Sequence, residues 1–136
     1  TDLCIATDDA RFTPAYAKIS VSPDGGSTVG MVGTVGVRRA FQIFLAEDSF
    51  TAQQAYDWGL VARVVPPDEL KAATRTLAER LARNPSAAIG ATKKLLYQAA
   101  TTSTKQQLDD EETNIIACMH TEDFRVAVKK FTSKSK

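Results

Sequence analysis

The chain has 136 residues, of which 43% are hydrophobic and 24% are charged, and its formal net charge is +1. This composition is typical of a folded globular protein and argues against nucleic acid or a membrane surface as the partner. The single histidine, and the lack of any Cys/His cluster with ligand spacing, predict that no metal is bound.

The first predicted elements surround a glycine-rich loop. Residues 3–7 have the apolar pattern of a short buried strand, and Asp8 and Asp9 favour a turn after it. Residues 22–28 read SPDGGST and predict a loop. The stretch 21–37 is rich in Gly, Ser and Thr, so we do not expect it to span a membrane. Two helical stretches follow, and the second, residues 37–47, has one apolar face: Val37, Ala40, Phe41, Phe44 and Leu45.

The rest of the chain predicts one more strand and then only helices. Thr51 is suited to cap a short helix that ends at Gly59, and Trp58 is expected to anchor its packing. Residues 60–65 predict a strand. Four amphipathic helices are expected after it, with Pro85 in the first turn of the second and Thr121 as the cap of the last.

The balance of elements indicates an incomplete fold. The chain does not begin with methionine, and an apolar run starts almost at once. We therefore expect a truncated or proteolysed piece, with a mature natural terminus as the alternative. Because strands are few, the helices are expected to cover a missing sheet or a partner subunit. Cys4 and Cys118 lie in apolar segments and indicate buried, reduced thiols of a cytoplasmic protein, and no signal peptide is visible.

Two residues are candidates for chemistry. Asp24 lies in the loop between Pro23 and the pair Gly25 and Gly26. Apolar side chains around such a carboxylate would favour its protonated form and suit it to general acid/base catalysis, and the glycines would let a ligand approach the backbone. The alternative is a plain Pro-Asp-Gly turn. Tyr16 is a candidate aromatic wall or hydroxyl donor, with a half-buried core tyrosine as the alternative. His120 is expected at the surface.

Five segments, in order, give the chain a resemblance to the crotonase superfamily of acyl-CoA enzymes. They cover nearly the whole chain: residues 5–12, the loop 22–28, residues 50–65 with their Ala-x-x-Ala and Gly-Leu-Val spacing, residues 84–93, and residues 122–131. The resemblance implies the α/β crotonase spiral, here its helix-rich C-terminal half with few strands. Residues 1–66 would belong to the spiral core and residues 67–136 to a helical trimerisation region.

The resemblance also implies a choice between reactions. The two catalytic glutamates of the hydratases would fall just before Thr1 and at position 16, which is Tyr16, and this substitution argues against hydration. In isomerases of the family an acid in the loop of Asp24 moves a proton, and an aryl-CoA dehalogenase uses an Asp there as its nucleophile. An enoyl-CoA isomerase is therefore expected, with a hydratase, a dehalogenase or a non-catalytic assembly module as alternatives.

The remaining implications concern ligands and assembly. Asp24 would be catalytic, and Tyr16, Pro23, Gly25 and Gly26 would bind the substrate, with Tyr16 as a wall of the acyl pocket. Phe131 and Lys134 match residues that contact coenzyme A of a neighbouring subunit in relatives. The coenzyme A thioester would be the substrate, with no further cofactor, and the protein would be a homo-oligomer, a trimer or hexamer. The oxyanion donors belong to the family's first half and lie outside this chain.

Overall fold

The computed structural model describes residues 2–133 and divides the chain into two compact units, Thr1–Ala78 and Glu79–Lys136. The first unit contains all the strands of the described chain and its buried core.

Two pairs of very short strands organise the first unit. β1 (Ile5–Thr7) lies parallel to β4 (Arg63–Val65), with Ile5 opposite Arg63, and β2 (Arg11–Phe12) lies antiparallel to β3 (Phe50–Thr51). The strand predicted for residues 60–65 begins only at Arg63. The N–H groups of Leu60 and Val61 both bond to the carbonyl of Ala55, at 2.8 and 3.3 Å, so these residues close the preceding helix instead.

A long helix connects β2 to β3, the two strands of the antiparallel pair. α1 (Ser27–Phe41) continues as a π-helical turn (Gln42–Ala46), and Gly36 interrupts it with φ 74° and ψ 164°. The residues predicted to share an apolar face differ in burial: Ala40 is buried, whereas Val37, Phe41 and Leu45 are mostly exposed. Ile43, which that face omits, is fully buried. This helix carries apolar residues on all of its sides, so the periodicity of its sequence alone could not show which side is packed.

The long helix also has to be compared with the expectation that residues 21–37 do not span a membrane. Ser27–Ala46 is long and apolar enough to cross a membrane by length and composition alone, so the prediction for residues 21–37 does not extend to it. Helices inside soluble proteins pass the same test. Here the non-helical backbone of Gly36, followed by Arg38 and Arg39, would be costly in hydrocarbon.

The core of the first unit lies where α1, β3 and the short helix α2 (Ala52–Asp57) meet. Phe50 stacks on Phe12 and contacts Trp58, each with ring centroids 5.2 Å apart, and the Arg39 guanidinium lies 5.0 Å from the Trp58 ring. This confirms Trp58 as a packing anchor. Thr51 caps α2, as predicted, and it does so in a reciprocal capping box with Gln54. The core members are Ala6, Ile43, Phe50, Ala52, Ala55 and Val61.

A 3₁₀ turn (Pro67–Glu69) and α3 (Leu70–Ala82) complete the first unit and enter the second, which consists otherwise of α4 (Ser86–Ala99), α5 (Thr104–Met119) and α6 (Glu122–Ser133). Helix α4 packs on α5, and α5 contacts α6. Pro85 occupies the N-cap of α4 rather than its first turn. Ser103 and Thr121 each accept a hydrogen bond from the backbone N–H three residues later, Thr121 as predicted.

Candidate functional site

The loop before α1 presents the candidate carboxylate to solvent. Asp24 is exposed, and its carbonyl accepts a hydrogen bond from the Ser27 N–H at 3.0 Å. Gly25 and Gly26 have φ values of 59° and 78°, a left-handed conformation that other residues adopt only with strain. A Cβ at either glycine would meet nothing within 4 Å, so the requirement for glycine comes from the backbone, and the space above the loop is open.

The structure brings the two candidate residues together. The Tyr16 hydroxyl donates a hydrogen bond to Asp24 Oδ1 at 3.2 Å, across eight positions of sequence. The Tyr16 ring is half-buried and lies at a tilt against Phe44, with centroids 6.2 Å apart. Tyr16 therefore acts as the hydroxyl donor that the sequence allowed, and its partner is the candidate carboxylate itself.

Backbone and charge contacts hold the segment that carries Tyr16. The Tyr16 carbonyl accepts hydrogen bonds from Ile19 and Val21, at 3.2 and 3.1 Å. Two residues after Tyr16, Lys18 forms a 2.6 Å ion pair with Asp48, beyond the end of the long helix. The hydrogen bond and positive charge of Lys18 lower the pKa of the Asp48 carboxyl below its usual value. The turn at residues 16–21 is thus tied to the far end of the helix that carries Phe44.

An apolar groove of about 230 Å³ lies beside this pair. It begins at Pro23, which precedes Asp24, and includes Phe44, which contacts the Tyr16 ring. Thr28 is its one polar side chain among the eight that form it. The five residues predicted to share an apolar face within residues 37–47 all line this open groove next to the carboxylate, which confirms that they share a face. Its lining consists of Pro23, Thr28, Val32, Val37, Ala40, Phe41, Phe44 and Leu45.

Sequence reasoning missed the part that Phe44 and Val32 take in this groove. Their apolar periodicity was the available signal, but it indicates a shared face and does not show whether that face is packed or open. The apolar walls expected around Asp24 are also not formed by residues 2–133, in which Asp24 is exposed.

The other candidates lie apart from this loop in sequence. Phe131 is on α6 in the second unit and is 78% exposed, and Lys134 lies outside the described residues. His120 follows α5 and is exposed, as expected. Cys4 and Cys118 are unpaired thiols and are half-buried rather than buried. Within residues 2–133, no three His, Cys, Asp or Glu side chains are grouped to hold a metal ion.

Comparison with known proteins gives the site its context. The family model described as "Enoyl-CoA hydratase/isomerase" matches residues 1–136. The chain is 31% identical to 1,2-epoxyphenylacetyl-CoA isomerase and 30% identical to 2,3-dehydroadipyl-CoA hydratase, both of Escherichia coli K12, and 29% identical to 4-chlorobenzoyl coenzyme A dehalogenase-1 of Arthrobacter. Each alignment covers 98% of this chain but 51%, 52% and 48% of the relative. The chain thus spans about half the length of the curated relatives it matches.

Solved structures agree with this result. An enoyl-CoA hydratase/isomerase from Cupriavidus metallidurans superposes with a TM-score of 0.94 at 27% identity, over 98% of this chain and 51% of that one. A Thermobifida fusca protein in complex with acetoacetyl-CoA superposes with a TM-score of 0.83 at 34% identity, over 87% of this chain and 46% of that one. The fold is therefore the predicted helix-rich half of a crotonase spiral.

Proposed function

Because the chain belongs to the enoyl-CoA hydratase/isomerase family, we propose that it carries the proton-transfer residue of an enzyme that isomerises an enoyl-CoA thioester. The hydrogen-bonded pair of Asp24 and Tyr16 beside an apolar groove supports this proposal most directly. The active protein is the longer one, since the relatives are about twice the length of this chain.

The chemistry starts from the acidity that a thioester gives to its neighbouring C–H bonds. The Asp24 carboxylate takes a proton from one carbon, the electron pair of the broken C–H bond moves into an enolate, and Asp24 returns the proton to another carbon with a shift of the double bond. Two backbone N–H donors, which the family resemblance places in the first half, would stabilise the oxyanion by about 3–4 kcal/mol each. One carboxylate is enough for such a transfer.

The groove indicates the kind of acyl group. A lining with a single polar side chain and no charge favours an apolar acyl chain or ring over a second carboxylate, because a charged group there would lose its hydration without a partner. The acyl group would extend from Asp24 past Phe44 and Val32. Coenzyme A is part of the substrate, and no further cofactor is proposed.

Assembly completes the proposal. Phe131 and Lys134 would contact the coenzyme A bound to a neighbouring subunit of a cytoplasmic trimer or hexamer. The exposed apolar residues of α4, α5 and α6 support contact with other protein surfaces, either subunits or the missing half; they include Leu96, Leu108, Ile115, Met119 and Phe131. Neither nucleic acid nor a membrane is proposed as a partner.

A dehalogenase is the second candidate, since a relative of 29% identity carries that name. There Asp24 would attack the ring carbon that bears the halogen, form a C–O bond and expel halide. The Tyr16 hydrogen bond engages Oδ1 and leaves Oδ2 available in either reaction, as a base or as a nucleophile. The products therefore distinguish the two candidates.

The test uses the full-length protein with three substrates: a 2-enoyl-CoA, a 3-enoyl-CoA and 4-chlorobenzoyl-CoA. The proposal predicts interconversion of the two enoyl thioesters, without added water and without halide release, and no turnover by the 136-residue chain alone. Mass spectrometry separates the outcomes, because hydration adds the mass of water and isomerisation leaves the mass unchanged. Hydrated product, or chloride in place of isomerised product, would contradict it.

A further inference from the structure

We propose that Tyr16 is a positioning residue whose hydroxyl fixes Asp24 Oδ1, so that Oδ2 is the oxygen that takes and returns the proton. This inference rests on the proposed function, because it assigns the oxygen that performs the proposed transfer. It differs from the role of an aromatic wall, in which the hydroxyl would have no part.

The first support is that the exposed Asp24 side chain would be mobile without its hydrogen bond to Tyr16. Asp24 is exposed, and among residues 2–133 its carboxylate has one hydrogen-bond donor, the Tyr16 hydroxyl at 3.2 Å. An aspartate in an open loop can rotate about two side-chain bonds, and each rotation moves its oxygens away from a bound substrate. Proton transfer needs the acceptor oxygen within hydrogen-bond reach of the reacting carbon. A contact that selects the reactive rotamer of Asp24 therefore increases the fraction of molecules that can react.

The second support is that Tyr16 is itself held in place. Its ring packs against Phe44 with centroids 6.2 Å apart, and its carbonyl accepts two backbone hydrogen bonds. The Lys18–Asp48 ion pair ties the same turn to the chain beyond the helix that carries Phe44. A donor fixed at its ring and its backbone can impose a direction on a carboxylate that accepts no other hydrogen bond from residues 2–133.

The third support is the chemical difference between the two oxygens. Oδ1 shares the hydroxyl proton of Tyr16, which lowers its electron density, while Oδ2 accepts no hydrogen bond from residues 2–133. Oδ2 therefore forms the new O–H bond when the substrate C–H bond breaks, and it releases the same proton when the product C–H bond forms. The Tyr16 hydroxyl stays protonated throughout, so it directs the transfer without exchanging a proton itself.

The experiment compares Tyr16→Phe with Tyr56→Phe in the full-length protein. The first variant removes the hydroxyl and keeps the ring against Phe44, and the second removes a hydroxyl from a half-exposed tyrosine of α2. We expect Tyr16→Phe to lower kcat for isomerisation about tenfold with KM unchanged, on the scale of a misplaced catalytic group. Tyr56→Phe should leave both constants unchanged. The melting temperature of each variant reports whether the fold is preserved.

A double substitution separates positioning from general damage. In an Asp24→Asn background, Tyr16→Phe should cause no further loss, because there is no carboxylate left to direct. An unchanged kcat in Tyr16→Phe, a raised KM with kcat retained, or an equal fall in both backgrounds would overturn the positioning role. If Asp24→Asn were fully active, the proposed function itself would fail; if Asp24→Asn were inactive and Tyr16→Phe normal, only the inference about Tyr16 would fail.

Discussion

The two units of the chain bury their side chains to very different extents. The first contains every buried residue of the described chain, from Ala6 to Ala73, including the fully buried Ile43. Residues 79–133 form long helices, two of which are capped by Ser103 and Thr121, yet none of these residues is buried. A chain can therefore form regular helices without forming a hydrophobic core. Helices satisfy their own backbone hydrogen bonds, whereas a core needs opposing apolar surfaces.

The difference also locates the candidate chemistry. The Asp24–Tyr16 pair lies in the unit with a core of its own, where packed rings and backbone contacts can hold a reactive side chain. The second unit presents exposed apolar residues along three helices, which suits protein contacts better than catalysis.

The largest effect is expected from truncating the buried isoleucine. Ile43→Ala should lower the free energy of unfolding by about 2–5 kcal/mol, because it leaves a cavity at a site with no exposure. Ile115→Ala, at a site 60% exposed, is the matched substitution in the second unit. In the isolated chain, at a protein concentration too low for assembly, it should change the free energy of unfolding by less than about 0.5 kcal/mol. Urea unfolding can be followed by the fluorescence of Trp58 and by circular dichroism.

An equal loss in the free energy of unfolding of the two variants would contradict this difference between the units. It would mean that another surface covers Ile115 in solution, and the loss would then depend on protein concentration.

Helix caps offer a comparison at a smaller scale. Thr51→Ala removes one bond of a reciprocal capping box next to the core and should cost about 1 kcal/mol of global stability. Ser103→Ala removes a single exposed bond of 3.2 Å and should cost about 0.5 kcal/mol. Hydrogen exchange should show faster opening limited to the first turn of α5 in the second variant, and a global change there would contradict this account.

The smallest effect concerns the ion pair near Tyr16. The folded-state pKa of Asp48 is depressed from 3.8 by the hydrogen bond and charge of Lys18, so its contribution to stability is complete above 3.8 and is lost as the pH falls through the folded value. Asp48→Asn should therefore lower the melting temperature slightly at pH 7 and not at strongly acidic pH, and added salt should reduce the difference. Lys18→Ala should remove the same pH-dependent part; an effect of Asp48→Asn independent of pH would contradict the pairing.

Local signals predicted the elements well. The Thr51 and Thr121 caps, the turn after β1 and the glycine-rich loop follow from side-chain chemistry within a few residues, and the structure has all of them. Gly36 separates the two helical stretches that the sequence predicts, and the structure has non-helical backbone at this residue.

Contacts between residues far apart in sequence could not be predicted from the sequence alone. Asp24 and Tyr16 were each chosen from the sequence, but their contact depends on the path of the turn at residues 16–21, which no periodicity encodes. The burial of Ile43, which lies outside the predicted apolar face, depends on which side of the long helix meets the β3 and α2 segments. Both features depend on contacts between residues that are distant in sequence.

The central claim is that Asp24 transfers the proton, and deuterium incorporation tests it most directly. The full-length protein, Asp24→Asn and the exposed-turn control Asp9→Asn are each incubated with an enoyl-CoA in deuterated water, and the label is followed by NMR. Asn keeps the size of the side chain but cannot accept and return a proton, so exchange should fall about 10²- to 10⁴-fold in Asp24→Asn and stay at the wild-type rate in Asp9→Asn. Exchange by Asp24→Asn at the wild-type rate would contradict the claim and leave Asp24 as a turn residue.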